Sequence, residues 1–402
     1  MKTAIPLSVP CIRGNEWKYI KECLDTGWVS YVGSYVKRFE DKVAGYCHAK
    51  YAVATVNGTC ALHISLLACG VQLSDEVIVP ALTFVATANA VKYCGAEPLF
   101  MDCASRGLGL DPEKTGDFLK KKTVKKRDGF TYNRDSGNRI KAIIPVHIFG
   151  HPVDMDAING VCAGRNIDVI EDATESLGSE YKNKKTGILG KVGCLSFNGN
   201  KIITTGGGGM ALTDNFRLAE KIGHLTTQAR VGFVEYDHDA IGFNYRLSNI
   251  NAAMGLAQME KLEEYVRIKR ANANLYKILL SEVDDVEFLW EELWAKSNFW
   301  FYTIKVAKDR KKGLMEYLLS KGIQVRPIWR LINTLPMYKK CQAYEIERSQ
   351  EAYETCLNVP CSVGLKRDEI VFVTRAIKEY FSERPATRKK LSTELRISNG
   401  KI

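Results

Sequence analysis

The chain has 402 residues, 46% hydrophobic and 26% charged, with a formal net charge of +11. That length supports two domains with substantial cores, and the composition is that of an ordinary soluble protein. No apolar run approaches the roughly 18 residues that cross a bilayer, which excludes a membrane-spanning reading. The first residues, Met1-Lys-Thr-Ala-Ile-Pro, lack the apolar centre of a signal peptide, so a cytoplasmic protein without a membrane partner is expected. Twelve cysteines occur with no C-x-x-C pair and no Cys/His cluster, which predicts reduced thiols and no metal site. Much of the basic excess sits in residues 120–141 and beyond Arg384, where solvated surface rather than nucleic-acid binding is the expected role.

Residues 16–48 read as amphipathic helical pieces joined through Thr26-Gly-Trp-Val-Ser-Tyr-Val-Gly-Ser. A strand, Tyr51 to Val56, runs into Asn57-Gly58-Thr59 and a buried helix over 61–69. A strand, a Gly turn and a helix start make an anion site, because free backbone N–H groups point outward there. Strands and helices then alternate: strands at 76–80, 98–102, 141–150 and 167–172, helices at 84–93, 112–122 and 155–165. This rhythm predicts a mostly parallel sheet covered by helices on both faces. Ligands gather at the carboxyl ends of such strands, where Asn57, His147, Asp172 and Ser196 fall. Residues 120–140 read as a polar insertion, a β-hairpin by its Asp-Gly and Ser-Gly turns.

The segment Ser196-Phe-Asn-Gly-Asn-Lys201, followed by Gly206 to Gly209, sets one lysine between two strand-like runs. Glycines there let a flat ligand lie close to the chain, and a lysine so held forms a Schiff base with a carbonyl. After Gly242-Phe-Asn-Tyr-Arg-Leu-Ser, one long helix over 249–279 links to a second region. That region has strands near 299–306 and 323–326 and helices near 311–320 and 368–381. The expected organisation is a large domain over 1–248, a linking helix and small α+β domain over 249–382, and a polar tail over 383–402. A phosphate-type turn, a strand-end acid (Asp172) and Lys201 in that order are the equipment of a pyridoxal phosphate site.

At this point the sequence resembles the DegT-type sugar-nucleotide aminotransferases. The matching motifs are Thr26-Gly-Trp-Val-Ser, Asn57-Gly-Thr-Cys-Ala-Leu, Pro80-Ala-Leu-Thr-Phe, Pro145-Val-His-Ile-Phe-Gly, Glu171-Asp-Ala, Ser196-Phe-Asn-Gly-Asn-Lys and Gly242-Phe-Asn-Tyr-Arg. The resemblance implies an α/β, fold-type I aminotransferase with a mostly parallel seven-stranded sheet and a smaller C-terminal domain, loaded with pyridoxal 5′-phosphate. It implies that Lys201 binds the cofactor aldehyde and shuttles the proton, and that Asp172 pairs with the pyridinium. Gly58, Thr59 and Ser196 would hold the phosphate, with Asn244 reaching over from the second subunit of a homodimer. Phe84 matches a position that faces the cofactor ring, although its spacing equally suits core packing. Arg246 is a candidate for an anionic group of the donor or nucleotide, and His147 either lines the site or is a satisfied strand-end histidine.

Two departures stand out: Glu175 where relatives carry glutamine or histidine against the ring hydroxyl, and Gly207 in place of a glutamate. The subtype resemblance points to an enzyme of legionaminic acid or bacillosamine-type pathways. Its substrate would be UDP-2-acetamido-4-keto-2,4,6-trideoxy-hexose and its donor L-glutamate, with a GDP-linked keto-sugar as the rival. Arg326 and Trp329 are candidates to grip the nucleotide sugar, or else pack between domains. A dehydrogenase is disfavoured because no G-x-G-x-x-G opens a helix after the first strand, and a P-loop because no Gly-Lys-Ser/Thr follows the glycines. A cofactor-binding regulator without turnover is the remaining alternative.

Overall fold

The structure, a computed structural model, describes residues 4–383 except Phe233. The expected polar tail therefore lies, beyond residue 383, outside the described residues. Helices α1 (Glu16–Thr26) and α2 (Ser34–Cys47) flank the turn predicted between them. Then follow β1 (Tyr51–Thr55), α3 (Gly58–Ala68), β2 (Glu76–Pro80), α4 (Ala86–Tyr93), β3 (Glu97–Met101) and α5 (Pro112–Lys121). Next come β4 (Ile140–Ile143), α6 (Met155–Cys162), β5 (Asp168–Asp172), β6 (Val192–Ser196), β7 (Gly209–Thr213) and α7 (Phe216–Thr226). Side chains of Asn57, Asp111, Asp154 and Asn215 cap α3, α5, α6 and α7 by accepting backbone N–H groups of the first turn.

Further along are α8 (Asn249–Met259), α9 (Leu262–Leu280), β8 (Val286–Phe288), β9 (Tyr302–Val306), α10 (Lys308–Ser320), β10 (Arg326–Pro327), β11 (Ala343–Tyr344), α11 (Glu347–Thr355), β12 (Cys356–Val359) and α12 (Arg367–Glu383). The single helix expected over 249–279 is two, broken at Glu260 and Lys261. Neither residue is a helix breaker. Glu260 is instead held from outside, accepting from Asn15 Nδ2 at 2.7 Å and Tyr19 Oη at 2.6 Å on the α1 side.

The large sheet has the strand order β1-β7-β6-β5-β4-β2-β3-β11. Only β7 runs antiparallel to its neighbours, so the sheet is mostly parallel as expected. It has eight strands rather than seven. The eighth, β11, is two residues long and joins from far down the chain, with Ala343 opposite Phe100. Successive side chains enter opposite faces: Val77 and Val79 join one core cluster with Phe100 and Ile144, while Ile78 joins the other with Leu99, Met101 and Ile143. Each such fully buried side chain contributes roughly 1.5–3 kcal/mol.

A second, antiparallel sheet orders β8-β9-β12-β10 and packs against α9, α10 and α12 around its own core. The amino-terminal residues belong with this sheet rather than with the large one. Ile5 donates to Gly322 O and accepts from Gln324 N, each at 2.9 Å, and Leu7 O accepts from Cys361 N at 2.7 Å. Thr123–Lys125 and Thr131–Asn133 pair antiparallel, so the 120–140 segment carries a hairpin. Among the described residues no helix is long and apolar enough to cross a membrane.

Candidate active site

The parallel arrangement brings the ends of β5 and β6 side by side, with Cys194 opposite Asp172. The β1–α3 turn lies against both. A Cβ on Gly58 would sit 2.9 Å from Ser196 Cβ and 3.1 Å from Thr174 Cγ2, so only glycine lets the helix start approach the strand ends. The side chain of Asn57 accepts the N–H of Cys60 at 2.8 Å, leaving the first N–H groups of α3 to face an anion at the positive end of the helix. Gly58, Thr59 and Ser196 line one end of a cavity of about 490 Å³.

Asp172 and Lys201 line the same cavity. The Asp172 carboxylate is buried; Oδ2 accepts from Thr87 Oγ1 at 2.7 Å and Oδ1 from Thr174 Oγ1 at 2.7 Å. Lys201 lies in the turn after β6, its side chain 11% exposed, with Nζ 3.7 Å from Glu175 Oε1. Burial lowers the affinity of the Lys201 amine for its proton, while Glu175 and Asp172 pull the other way. Glu175 is pushed up by burial, partly offset by Lys201, and its Oε2 accepts the N–H of Phe149 at 2.8 Å. A carboxyl raised in this way keeps a proton more readily than a free one.

Part of the lining is aromatic. Phe84 is 52% exposed, so it is not a core residue, and its ring lies 6.0 Å from that of Trp329. Arg326 donates to Val325 O at 3.3 Å and meets no carboxylate among the described residues, leaving its guanidinium free for an anion. Thr83 and Asn200, which stand in matching motifs but were given no role there, also line the cavity, as do Thr87 and Trp300, which the sequence did not single out.

Three sequence candidates lie away from the lining of this cavity. His147 is fully buried; its Nδ1 accepts from Val153 N at 3.0 Å, so Nε2 carries the proton and donates to Glu171 Oε2 at 3.0 Å. It is the satisfied strand-end histidine, and it steadies Glu171 beside Asp172. Arg246 Nη1 donates to Glu40 Oε1 at 2.7 Å and to Ala54 O at 3.2 Å, within its own chain. Asn244 is exposed, in an isolated bridge with Thr227. The glycine run also differs from expectation. None of Gly206 to Gly209 lines the cavity, and a Cβ on Gly209 would meet Asn57 O at 2.3 Å. At Gly208 and Gly209 it is the chain's own turn that requires the missing side chain.

Residues 10–378 match the model of the DegT/DnrJ/EryC1/StrS aminotransferase family. The chain belongs to that family. It is 37% identical over 383 residues to GDP-perosamine synthase of Escherichia coli O157:H7, covering 94% of this chain and 99% of the relative. The enzyme of the same name from Caulobacter vibrioides is 36% identical over 379 residues, covering 93% and 98%. A solved DegT DnrJ EryC1 StrS aminotransferase from Brucella abortus superposes with a TM-score of 0.84 at 26% identity, over 91% of this chain and 95% of that one.

Members of this family are pyridoxal-phosphate-dependent sugar aminotransferases, and that is the activity of this chain. Its residues fit the cofactor. The helix-start cup suits a phosphate, Asp172 a ring nitrogen, and Lys201 an aldehyde. In addition, Thr83 Oγ1 on the cavity wall is buried with no hydrogen-bond partner among the described residues. Overpacking costs about 1–3 kcal/mol, so Gly58→Ala is expected to weaken cofactor binding by about tenfold or more in a spectrophotometric titration. Unaltered affinity would show that the cup lies elsewhere.

Proposed function

We propose that this chain moves the amino group of L-glutamate to the 4-keto group of a GDP-linked 6-deoxy-hexose, for the synthesis of a surface-glycan sugar. The observation that carries this reading is likeness over nearly the full length to two proteins named GDP-perosamine synthase. It favours guanosine over the UDP-linked trideoxy sugar of a legionaminic acid pathway expected from the sequence. The cavity supports a nucleotide sugar: Arg326 offers a cation to a diphosphate beside the rings of Phe84 and Trp329.

The bound cofactor supplies a ring that withdraws electrons from the reacting carbon. Asp172 holds positive charge on the facing ring nitrogen, fixed for that task by Thr87 and Thr174. Lys201 holds and moves the proton at Nζ, in a pocket whose burial favours the neutral amine. Glu175 takes or keeps the compensating proton 3.7 Å away. Incubation with glutamate and a panel of GDP- and UDP-linked 4-keto-6-deoxy sugars, read by mass spectrometry, tests the proposal. Amination of the GDP sugar is expected; conversion of UDP sugars alone would contradict it, and no turnover at all would favour the regulator.

The reading includes a homodimer in which Asn244 completes the partner's phosphate cup. Its support is that Asn244 is exposed and is not part of its own chain's cavity lining. Inactive Lys201→Ala mixed with inactive Asn244→Asp, whose charge repels phosphate, is expected to regain activity. One site of each mixed dimer then carries neither lesion. Mixed dimers that stay inactive would refute the shared site.

A further inference from the structure

A side chain from the segment leading into the second sheet stands beside the reactive amine. Trp300 lies two residues ahead of β9, is 3% exposed and lines the cavity. The Nζ of Lys201 stands 3.6 Å from the centroid of its indole ring. The indole Nε1–H donates to Asn200 O at 2.7 Å, the carbonyl of the peptide leading into Lys201. One side chain therefore meets Lys201 twice, at the tip of its side chain and at the root of its backbone.

Trp300 is itself held at both backbone groups. Its N–H donates to Asn298 Oδ1 at 2.8 Å, and Asn298 Nδ2 in turn donates to Glu175 O at 3.0 Å and Leu177 O at 2.9 Å. Its carbonyl accepts from Lys269 Nζ at 2.8 Å, and the same buried ammonium reaches Cys361 O at 2.6 Å. The indole stacks against Trp329, 6.2 Å between centroids at 30°. A core tryptophan needs a partner for its N–H and apolar neighbours. It does not need a buried cation tied to its own carbonyl, nor an amine over its face.

We propose that Trp300 is a positioning residue for Lys201: its ring supports the amine from below while its N–H clamps the 200–201 peptide. The physical reason is that an aromatic face attracts an ammonium, most strongly in a site shielded from water. The groups that face the amine are this ring, Glu175 and Asp172. Ring and carboxylates offset part of the cost of burying the cation, which holds the ammonium form in place. The proposal rests on Lys201 being the amine that carries the cofactor, and its test is independent of turnover.

The test uses the full-length protein dialysed free of cofactor, with circular dichroism to confirm the fold. Acetylation of Lys201 is followed by peptide mass spectrometry across pH. Removing the ring in Trp300→Leu is expected to lower the pH midpoint of Lys201 labelling by roughly one unit. Trp300→Phe, which keeps a weaker face, should fall between that variant and the wild type. Amide hydrogen exchange over residues 198–205 should quicken in both variants, because both lose the N–H clamp, while exchange in β5 stays as it was. An unchanged or raised midpoint in Trp300→Leu overturns the proposal. If only Trp300→Phe folds, unchanged exchange over 198–205 overturns it. Failure here leaves the cofactor assignment of Lys201 standing, since that is decided separately by where borohydride fixes the cofactor.

Discussion

Lys201→Ala is expected to abolish transamination while the protein still folds. The loss follows from geometry, since Lys201 supplies the lysine amine on the cavity wall, beside Asp172 and Glu175. A positioned proton-transfer group alone is worth on the order of 10²–10⁴ in rate, and under the proposed function this residue would also carry the cofactor, so activity should fall below detection. Survival of the fold follows from electrostatics. Removing one partner of a buried ion pair is costly when it strands a charge. Here the stranded group is Glu175, which burial already pushes upward and which Lys201 alone was pulling down among the nearby bases. Without the lysine it takes a proton and becomes neutral. Thermal unfolding should therefore shift little while turnover, measured without added amines, disappears. Retained turnover would remove Lys201 from the mechanism.

Asp172→Asn is expected to lower turnover by about 10²-fold or more and to leave part of the cofactor binding intact. The amide preserves the local contacts: its oxygen still accepts from Thr174, and its NH2 group can donate to Thr87 Oγ1, which is free to rotate. What it loses is the negative charge that keeps a facing ring nitrogen protonated. A kcat defect with a nearly unchanged Tm is therefore the expected signature. Activity close to that of the wild type would make Asp172 a structural strand end only.

The alternation from β1 to β6 was legible because buried strands and capped helices leave strong local patterns; Asp172 and Ser196 end two of its strands and Lys201 follows in the turn after β6. What escaped is what depends on pairing across the chain. Strand β11 is two residues long, and the Ile5 and Leu7 bonds to the second sheet involve backbone groups that any residue could supply. Trp300 lies about a hundred residues from Lys201, and only the folded chain brings its ring beneath the amine. Arg246 and His147 sat at the right places in the motif, but Arg246 Nη1 donates to Glu40 and both ring nitrogens of His147 have partners in Glu171 and Val153. A motif does not reveal such internal partners. The glycine run misled for the same reason: Gly209 is small because Asn57 O needs the space.

The most direct test of the account is to reduce the cofactor-loaded protein with borohydride, digest it and locate the pyridoxyl group by mass spectrometry. The account predicts one modified peptide, spanning Ser196 to Met210 and carrying the group on Lys201. A pyridoxyl group on any other lysine, or none on this peptide, would contradict it.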